Sequence, residues 1–255
     1  TLTEGWNMFG CLRLEGSDVT SVFADIVEHV VIVKNSEGLA YLPEWGFNGI
    51  GDIEPGQAYQ AKMNTTQILH YLPNSQEYRL SEVLVVDNSS LSHFSTVRST
   101  GNNMTILIED EAWDILPIQE SEIAVLDKYS TIIGSATYTS PVTVLTVWGD
   151  DLTTSFKDGL SISEEVSFKL WDSKGLRNFI VSQWAIGSST YCVDGINIAS
   201  TIVTSNDITT PNATERKLLR VIDVLGREVS SNPHTFKGKV MFKVYDDGTV
   251  EKIVL

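Results

Sequence analysis

Residue patterns that build enzyme active sites are scarce in this chain. Its 255 residues include two cysteines and four histidines, and none of them lies in the C-x-x-C or H-E-x-x-H spacing that holds a metal ion. There is no G-x-S-x-G turn for a nucleophilic serine, and no phosphate-binding glycine loop that continues into Lys-Ser or Lys-Thr. The sequence therefore predicts a non-catalytic region that needs no cofactor, and it leaves open catalysis by residues upstream of Thr1.

Positive charge and long apolar runs are also in short supply. The chain has 18 Lys and Arg residues against 33 Asp and Glu residues, which gives a net charge of −15 at pH 7. A strongly acidic surface repels the phosphates of nucleic acids and of anionic lipids. No apolar run approaches the roughly 18 residues that a membrane-spanning helix needs. We therefore expect no nucleic-acid partner and no membrane span.

The two cysteines, Cys11 and Cys192, lie far apart in the sequence. In an oxidising compartment they can form one long-range disulfide, and otherwise they are free buried thiols, so the sequence leaves both states open. The chain begins at Thr1 without a secretory signal. We expect a mature product or the C-terminal piece of a longer protein.

Val, Ile, Thr, Ser and Tyr are abundant, and this composition favours strands over helices. The predicted fold class is mainly β. The predicted divisions are a small α+β N-terminal module (1–63), a connector with one short strand (64–100), a central antiparallel β-sandwich of the immunoglobulin-like (Ig-like) type (101–205), a linker (206–214) and a C-terminal β domain (215–255).

One short helix is predicted in the N-terminal module. The side-chain oxygens of Ser17 and Asp18 can cap a helix over residues 19–27, because they satisfy free backbone N–H groups. Apolar residues recur at helical spacing there, which predicts a buried face made of Val22, Phe23, Ile26 and Val27. Strands are predicted over residues 30–34, 39–42 and 57–63.

Short alternating runs follow one another through the central part, as is typical of an all-β domain. The predicted strands are 104–108, 122–126, 131–138, 142–148, 166–171 and 179–184. The residues expected to point inward are Leu107, Ile123, Val125, Val144, Val147, Phe168 and Leu170.

The C-terminal end carries the strongest local pattern of the chain. Asp247-Gly248 lies between two alternating runs, and this arrangement predicts a tight β-hairpin. A strand and a glycine-marked turn precede the hairpin. The segments Asp223-Val-Leu-Gly-Arg-Glu228 and Tyr245-Asp-Asp-Gly-Thr-Val-Glu-Lys-Ile253 resemble the C-terminal sorting domain of the type IX secretion system of Bacteroidetes.

This resemblance implies a location and a set of partners. It implies a secreted or bacterial cell-surface cargo protein, whose last domain is bound by the type IX translocon and its outer-membrane shuttle protein. The residues that the resemblance marks as the sorting signal are Asp223, Leu225, Gly226, Arg227, Glu228, Tyr245, Asp246, Asp247, Gly248, Thr249, Val250, Glu251 and Lys252.

Two other functions remain open at this stage. The chain can be a structural appendage, such as a fibre, surface-layer or virion protein, built from the same modules. It can also be a carbohydrate-binding accessory region of an upstream enzyme, and a groove lined by Trp148, Trp171 and Trp184 would then bind surface glycans.

One acidic loop is the candidate metal site. Asp150, Asp151 and Asp158 offer the carboxylate oxygens that a structural calcium ion prefers, although their spacing does not match an EF-hand. The alternative is an ordinary solvated acidic loop.

Overall fold

Strands dominate the part of the chain that the computed structural model describes, which comprises residues 1–71, 73–74, 91, 93–205, 218–223, 240–245 and 250–254. The predicted mainly-β class is confirmed. The chain divides into two compact units, Thr1–Ile208 and Thr209–Leu255. The predicted linker 206–214, and the short strand predicted within the connector, lie outside the described residues.

The N-terminal module is a small sheet with short helices. Its strands are β1 (Gly5–Gly10), β2 (Ser17–Asp18), β3 (Val30–Lys34), β4 (Ala40–Leu42), β5 (Phe47–Asn48), β6 (Asp52–Ile53) and β7 (Ala58–Met63). The helices are α1 (Val19–Val22) and two 3-10 helices, Ala24–His29 and Pro43–Trp45. The order β1-β7-β3-β4-β5 forms an antiparallel sheet, and β2 pairs separately with β6.

Asp18 caps the predicted helix, because its carboxylate accepts a hydrogen bond from the Thr20 backbone N–H at 2.9 Å. Val22, Phe23 and Ile26 are buried as expected. The prediction for Val27 is wrong, because this side chain is 38% exposed. The cause is a break in helical geometry at Ile26, where φ is −131° and ψ is 15°, so that residues beyond it leave the buried face.

The central part contains a strand for each run that the alternation predicts. The strands are β8 (Asn103–Glu109), β9 (Glu122–Leu126), β10 (Ile132–Thr137), β11 (Val142–Trp148), β12 (Ser167–Asp172), β13 (Gly175–Ile186) and β14 (Ile196–Thr204), with a 3-10 helix at Asp110–Ala112. The strand β14 is additional to the predicted set.

These strands form one sheet, in the order β10-β9-β12-β13-β14-β8-β11, rather than the two packed antiparallel sheets that the sequence predicts. The added strand accounts for the difference. β14 pairs antiparallel with β13 and parallel with β8, and it thereby joins two antiparallel groups into a continuous sheet. We call it the barrel sheet, because it curls until its two edge strands almost meet.

The inner face of the barrel sheet holds the largest apolar cluster of the described residues. Ile123, Val125, Val147, Phe168 and Leu170 belong to it, as predicted. Leu107 and Val144 do not, so their predicted inward direction is wrong. Side chains alternate between the faces of a strand, and these two point outward against the N-terminal module.

The edge strands β10 and β11 approach each other closely at one glycine. A Cβ atom added at Gly134 would lie 2.6 Å from the carbonyl oxygen of Thr146, which is a steric clash. Gly134 also follows a register irregularity in β10. The absence of a side chain at this position therefore allows the barrel sheet to close.

The C-terminal unit has its own small sheet. It consists of β15 (Leu218–Asp223), β16 (Val240–Tyr245) and β17 (Val250–Val254), in the order β15-β16-β17. The pairing of β16 with β17 is antiparallel, with Val244 opposite Val250, and it confirms the two strands of the predicted hairpin. The turn at Asp247-Gly248 lies outside the described residues.

The close approach at Gly134 predicts a specific sensitivity. Gly134→Ala should lower the free energy of unfolding by about 1–3 kcal/mol, because the new methyl group forces the edge strands apart. Gly10→Ala is the matched control, since a Cβ atom there would lie at an ordinary 3.6 Å from the Gln57 carbonyl oxygen. It should change stability by less than about 1 kcal/mol. Urea unfolding followed by tryptophan fluorescence measures both, and equal effects would contradict the close approach.

The cysteines are both free, Cys11 buried and Cys192 exposed. We therefore expect a thiol reagent to label Cys192 in the folded chain, and both residues only after unfolding. Mass spectrometry of the labelled chain counts the modified thiols. A folded chain that takes no label until a reductant is added would instead indicate the disulfide.

Candidate functional site

The described residues of the predicted sorting signal lie in the strands of the C-terminal unit. Asp223 ends β15, Tyr245 ends β16, and Val250, Glu251 and Lys252 begin β17. The members that lie outside the described residues are Leu225, Gly226, Arg227, Glu228, Asp246, Asp247, Gly248 and Thr249. Tyr245 and Val250 therefore stand on either side of the β16–β17 connection, and Asp223 stands at the end of β15.

The three tryptophans proposed for glycan binding lie in three different surroundings. Trp148 is buried and lies beside Gly38 of the N-terminal module. Trp171 stacks on the ring of His93, with centroids 4.7 Å apart and planes 6° from parallel. Trp184 packs against the barrel interior, 6.4 Å from Phe168. The described chain does not bring them into a common groove.

The aspartates of the candidate metal loop bind the loop's own backbone. Asp158 accepts from the Asp151 N–H, and Asp150 accepts from the Asp158 N–H, each at 2.9 Å. Asp151 accepts from the N–H and the hydroxyl of Thr153. Their carboxylates thus hold the shape of the turn after β11. Among the described residues, no group of three or more His, Cys, Asp and Glu side chains is placed to hold a metal ion.

Glu164 anchors the far end of the same loop. Its carboxylate contacts Lys157 and lies 3.3 Å from the Lys128 Nζ, while it also accepts from the Ser161 N–H at 2.9 Å. The pKa of Glu164 is lowered to about 2 from its ordinary 4.5. The hydrogen bond from Lys157 has the largest effect, and the hydrogen bond from the Ser161 N–H has the next largest. The charged form of Glu164 is therefore the one that the fold stabilises.

The N-terminal module and the barrel sheet share an apolar contact surface. Ile32, Ala40 and Leu42 of the module pack against Leu107, Val142 and Ile198 of the barrel sheet. Beside them, the Thr146 hydroxyl donates to the Gly38 carbonyl oxygen at 2.8 Å. We call this surface the joint. Because its apolar members are nearly inaccessible to water, the two parts form one packed unit.

A buried lysine lies within the joint. The side chain of Lys34, at the end of β3, is only 1% exposed. Its Nζ donates to Asn103 Oδ1 at 3.0 Å and to Asp194 Oδ1 at 2.9 Å, and lies 4.8 Å from the centre of the Trp6 ring. We call Lys34, Asn103 and Asp194 the Lys-Asn-Asp cluster.

Burial dominates the electrostatics of Lys34. It lowers the pKa of the amine below its ordinary value, while the hydrogen bond and charge of Asp194 act in the opposite direction. Lys62, whose Nζ lies 5.8 Å from the centre of the same Trp6 ring, lowers the pKa of Lys34 further by charge repulsion. Lys34 therefore loses its proton more readily than an exposed lysine does.

A cavity of about 280 Å³ opens beside the joint. Its described lining includes Gly38, Ala40 and Phe47 from the module and Thr137 and Thr146 from the barrel sheet. Of the described lining residues, Glu37 alone carries a charge. The side chains of the N-terminal module and of the barrel sheet thus leave part of the space between them empty.

The sequence pattern did not mark the Lys-Asn-Asp cluster, although one signal was present. Ile32 and Lys34 are two residues apart in a strand and therefore share a face, so a buried Ile32 implies a lysine directed at the same neighbour. The partners at positions 103 and 194 are distant in sequence and follow only from the tertiary fold.

The depressed pKa of Glu164 predicts acid sensitivity. A carboxylate whose pKa is about 2 when folded and 4.5 when unfolded contributes stability above about pH 4.5, and loses it as the pH falls towards 2. Glu164→Gln should therefore be less stable than the native sequence at neutral pH, with the difference shrinking between about pH 5 and about pH 2. Urea midpoints across this range test it. Glu165→Gln, at the exposed neighbouring residue, is the control, and a gap for Glu164→Gln that does not depend on pH would contradict the ion pairing.

No protein-family model, curated protein or solved structure matches the chain. No helix among the described residues is long and apolar enough to cross a membrane. The functional conclusion therefore depends on the geometry above and on the sequence resemblance of the C-terminal end.

Proposed function

We propose that this chain is the non-catalytic C-terminal region of a secreted or cell-surface protein, exported through a type IX secretion system by its last domain. The observation that carries the proposal is the separate C-terminal unit, Thr209–Leu255, which contains the whole segment that resembles a sorting domain. A sorting signal that forms a unit with its own sheet can be recognised by a translocon whatever cargo precedes it.

The C-terminal sheet also offers a physical means of recognition. β15 and β17 are the two edges of the described sheet. An edge strand has unpaired N–H and C=O groups and can add to a sheet of another protein. Binding by the translocon or by the outer-membrane shuttle protein through such an edge would use backbone groups of these strands.

The described carboxylates of the barrel support a structural rather than a catalytic body. Asp110 accepts from the hydroxyls of Tyr138 and Ser140, each at 2.6 Å. Burial, together with the bond to Asp110, raises the pKa of Tyr138 to about 12. Asp172 pairs with Arg177, and Asp114 accepts from the backbone and hydroxyl of Thr204. These groups hold strands and turns together.

An export assay tests the proposal. The full chain is expressed behind an inner-membrane export signal in a strain with a working type IX system and in an isogenic strain without the translocon. We expect the chain outside the competent cells and in the periplasm of the deficient ones. Retention of the full chain in the periplasm of the competent strain would overturn the proposal.

Two pairs of variants locate the signal. A chain that ends at Ser205 should remain in the periplasm, because it lacks the C-terminal unit, while residues 206–255 fused to a periplasmic reporter should carry the reporter out. Lys252→Ala, within the marked signal, should reduce export, whereas Lys243→Ala, in the middle strand and outside the marked set, should not. Equal export of both lysine variants would contradict the residue assignment.

A further inference from the structure

The Lys-Asn-Asp cluster combines three groups that can react with one another. It has an amine, a primary amide and a carboxylate within hydrogen-bond distance: the Lys34 Nζ lies 3.0 Å from Asn103 Oδ1 and 2.9 Å from Asp194 Oδ1. Rotation of the Asn103 amide exchanges its Oδ1 and Nδ2 atoms and leaves Cγ in place, so the amine is held beside the amide carbon in either orientation. We propose that Lys34 and Asn103 become joined by an intramolecular amide bond, with release of ammonia and with Asp194 as the proton carrier.

The surroundings of the amine favour the reaction. Lys34 is 1% exposed and Asn103 is 7% exposed, and the centre of the Trp6 ring lies 4.8 Å from the Lys34 Nζ. A desolvated lysine with a lowered pKa is a better nucleophile than an exposed one, because less energy is needed to remove its proton. Groups held in contact by a fold also react as if at very high concentration.

Asp194 is held in place by its own backbone. Its N–H donates to the Asn103 carbonyl oxygen at 2.9 Å, and its φ of 58° places it in the left-handed region. The next residue, Gly195, accepts from the Thr105 N–H at 2.8 Å, which fastens this turn to β8. The carboxylate therefore stays next to both the amine and the strand that carries the amide.

The atoms and charges of the reaction balance without an oxidant or a cofactor. Asp194 takes a proton from the Lys34 ammonium, and the neutral Nζ attacks Asn103 Cγ to form a C–N bond. Asp194 gives its proton to the Asn103 Nδ2 and takes the second proton from Nζ. The Cγ–Nδ2 bond then breaks and releases ammonia. The ammonia takes the remaining proton from Asp194 and becomes ammonium.

Asn103, rather than Asp194, is the group that we expect to be attacked. An ionised carboxylate is a poor electrophile, and Asp194 is also the more exposed of the two, at 30% of its side chain. Attack on Asp194 would release water instead of ammonia. The two outcomes therefore differ in mass, and the inference does not depend on the export proposal.

Intact-mass spectrometry of the full chain, after reduction of the thiols, tests the bond directly. We expect a mass below that of the sequence by one ammonia molecule. An unchanged mass would show that Lys34 and Asp194 form only an ion pair, and a loss of one water would show that Asp194 is the electrophile; either result overturns the inference.

Peptide mapping locates the bond. An acylated Lys34 resists trypsin, so the digest should contain a branched peptide that joins residues 14–62 to residues 99–128. Cyclisation of an asparagine elsewhere also releases ammonia, but it leaves Lys34 cleavable. Cleavage after Lys34 in most molecules would therefore overturn the inference even if the intact mass is reduced.

Three variants test the assigned roles. Asp194→Asn keeps an oxygen beside the amine but cannot carry the proton, so the chain should retain its full mass and be cleaved after Lys34. Asn103→Asp should still cross-link, with loss of water. Lys62→Arg is the matched control at the neighbouring lysine and should still lose ammonia. If a variant does not fold, the mass and the peptide map of the native sequence still decide.

Discussion

The packing of the larger unit, Thr1–Ile208, must provide polar partners for a lysine side chain that has almost no contact with water. Lys34 needs polar partners because an unpaired buried charge costs several kcal/mol, and removing one partner of a buried pair typically costs about 3–5 kcal/mol. Its partners come from β8 and from the turn before β14, so the positions of three distant segments are fixed at one point. The apolar joint supplies the driving force for packing, and the cluster sets the register at which the layers meet.

The strands were predictable from the sequence because alternation reports burial of one face directly. The runs around β8, β9, β11 and β12 carry apolar residues at every second position, and those around β10 and β13 are rich in apolar residues without strict alternation; each forms a strand. The capping role of Asp18 was predictable for a similarly local reason, since a carboxylate two residues before a free N–H satisfies it without help from the rest of the chain.

The arrangement of those strands was not predictable by the same means. β14 has isoleucines at positions 196, 198 and 202, but it is interrupted by Asn, Ala, Ser and Thr, and it forms a strand because β13 and β8 lie on either side of it. Without it the remaining strands divide into two antiparallel groups, which is the sandwich that the sequence suggested. Leu107 and Val144 show the same limit: alternation tells which residues share a face, but not what covers that face.

The candidate sites show this limit most clearly. Asp150, Asp151 and Asp158 are close in sequence and lie in one turn, where their carboxylates accept hydrogen bonds from the loop's own backbone. Trp148, Trp171 and Trp184 are of the same residue type but lie in three different surroundings. Lys34, Asn103 and Asp194 are far apart in the sequence and nevertheless converge, because tertiary packing and not sequence spacing brings them together.

The contact between Lys34 and Asn103 joins positions that are 69 residues apart in the sequence. The amide bond proposed between these two residues would join β3 directly to β8. Tension on the two ends of the chain would pass from β3 directly to β8 and bypass the intervening segment. A single proteolytic cut between these positions would then leave the two halves of the chain covalently attached.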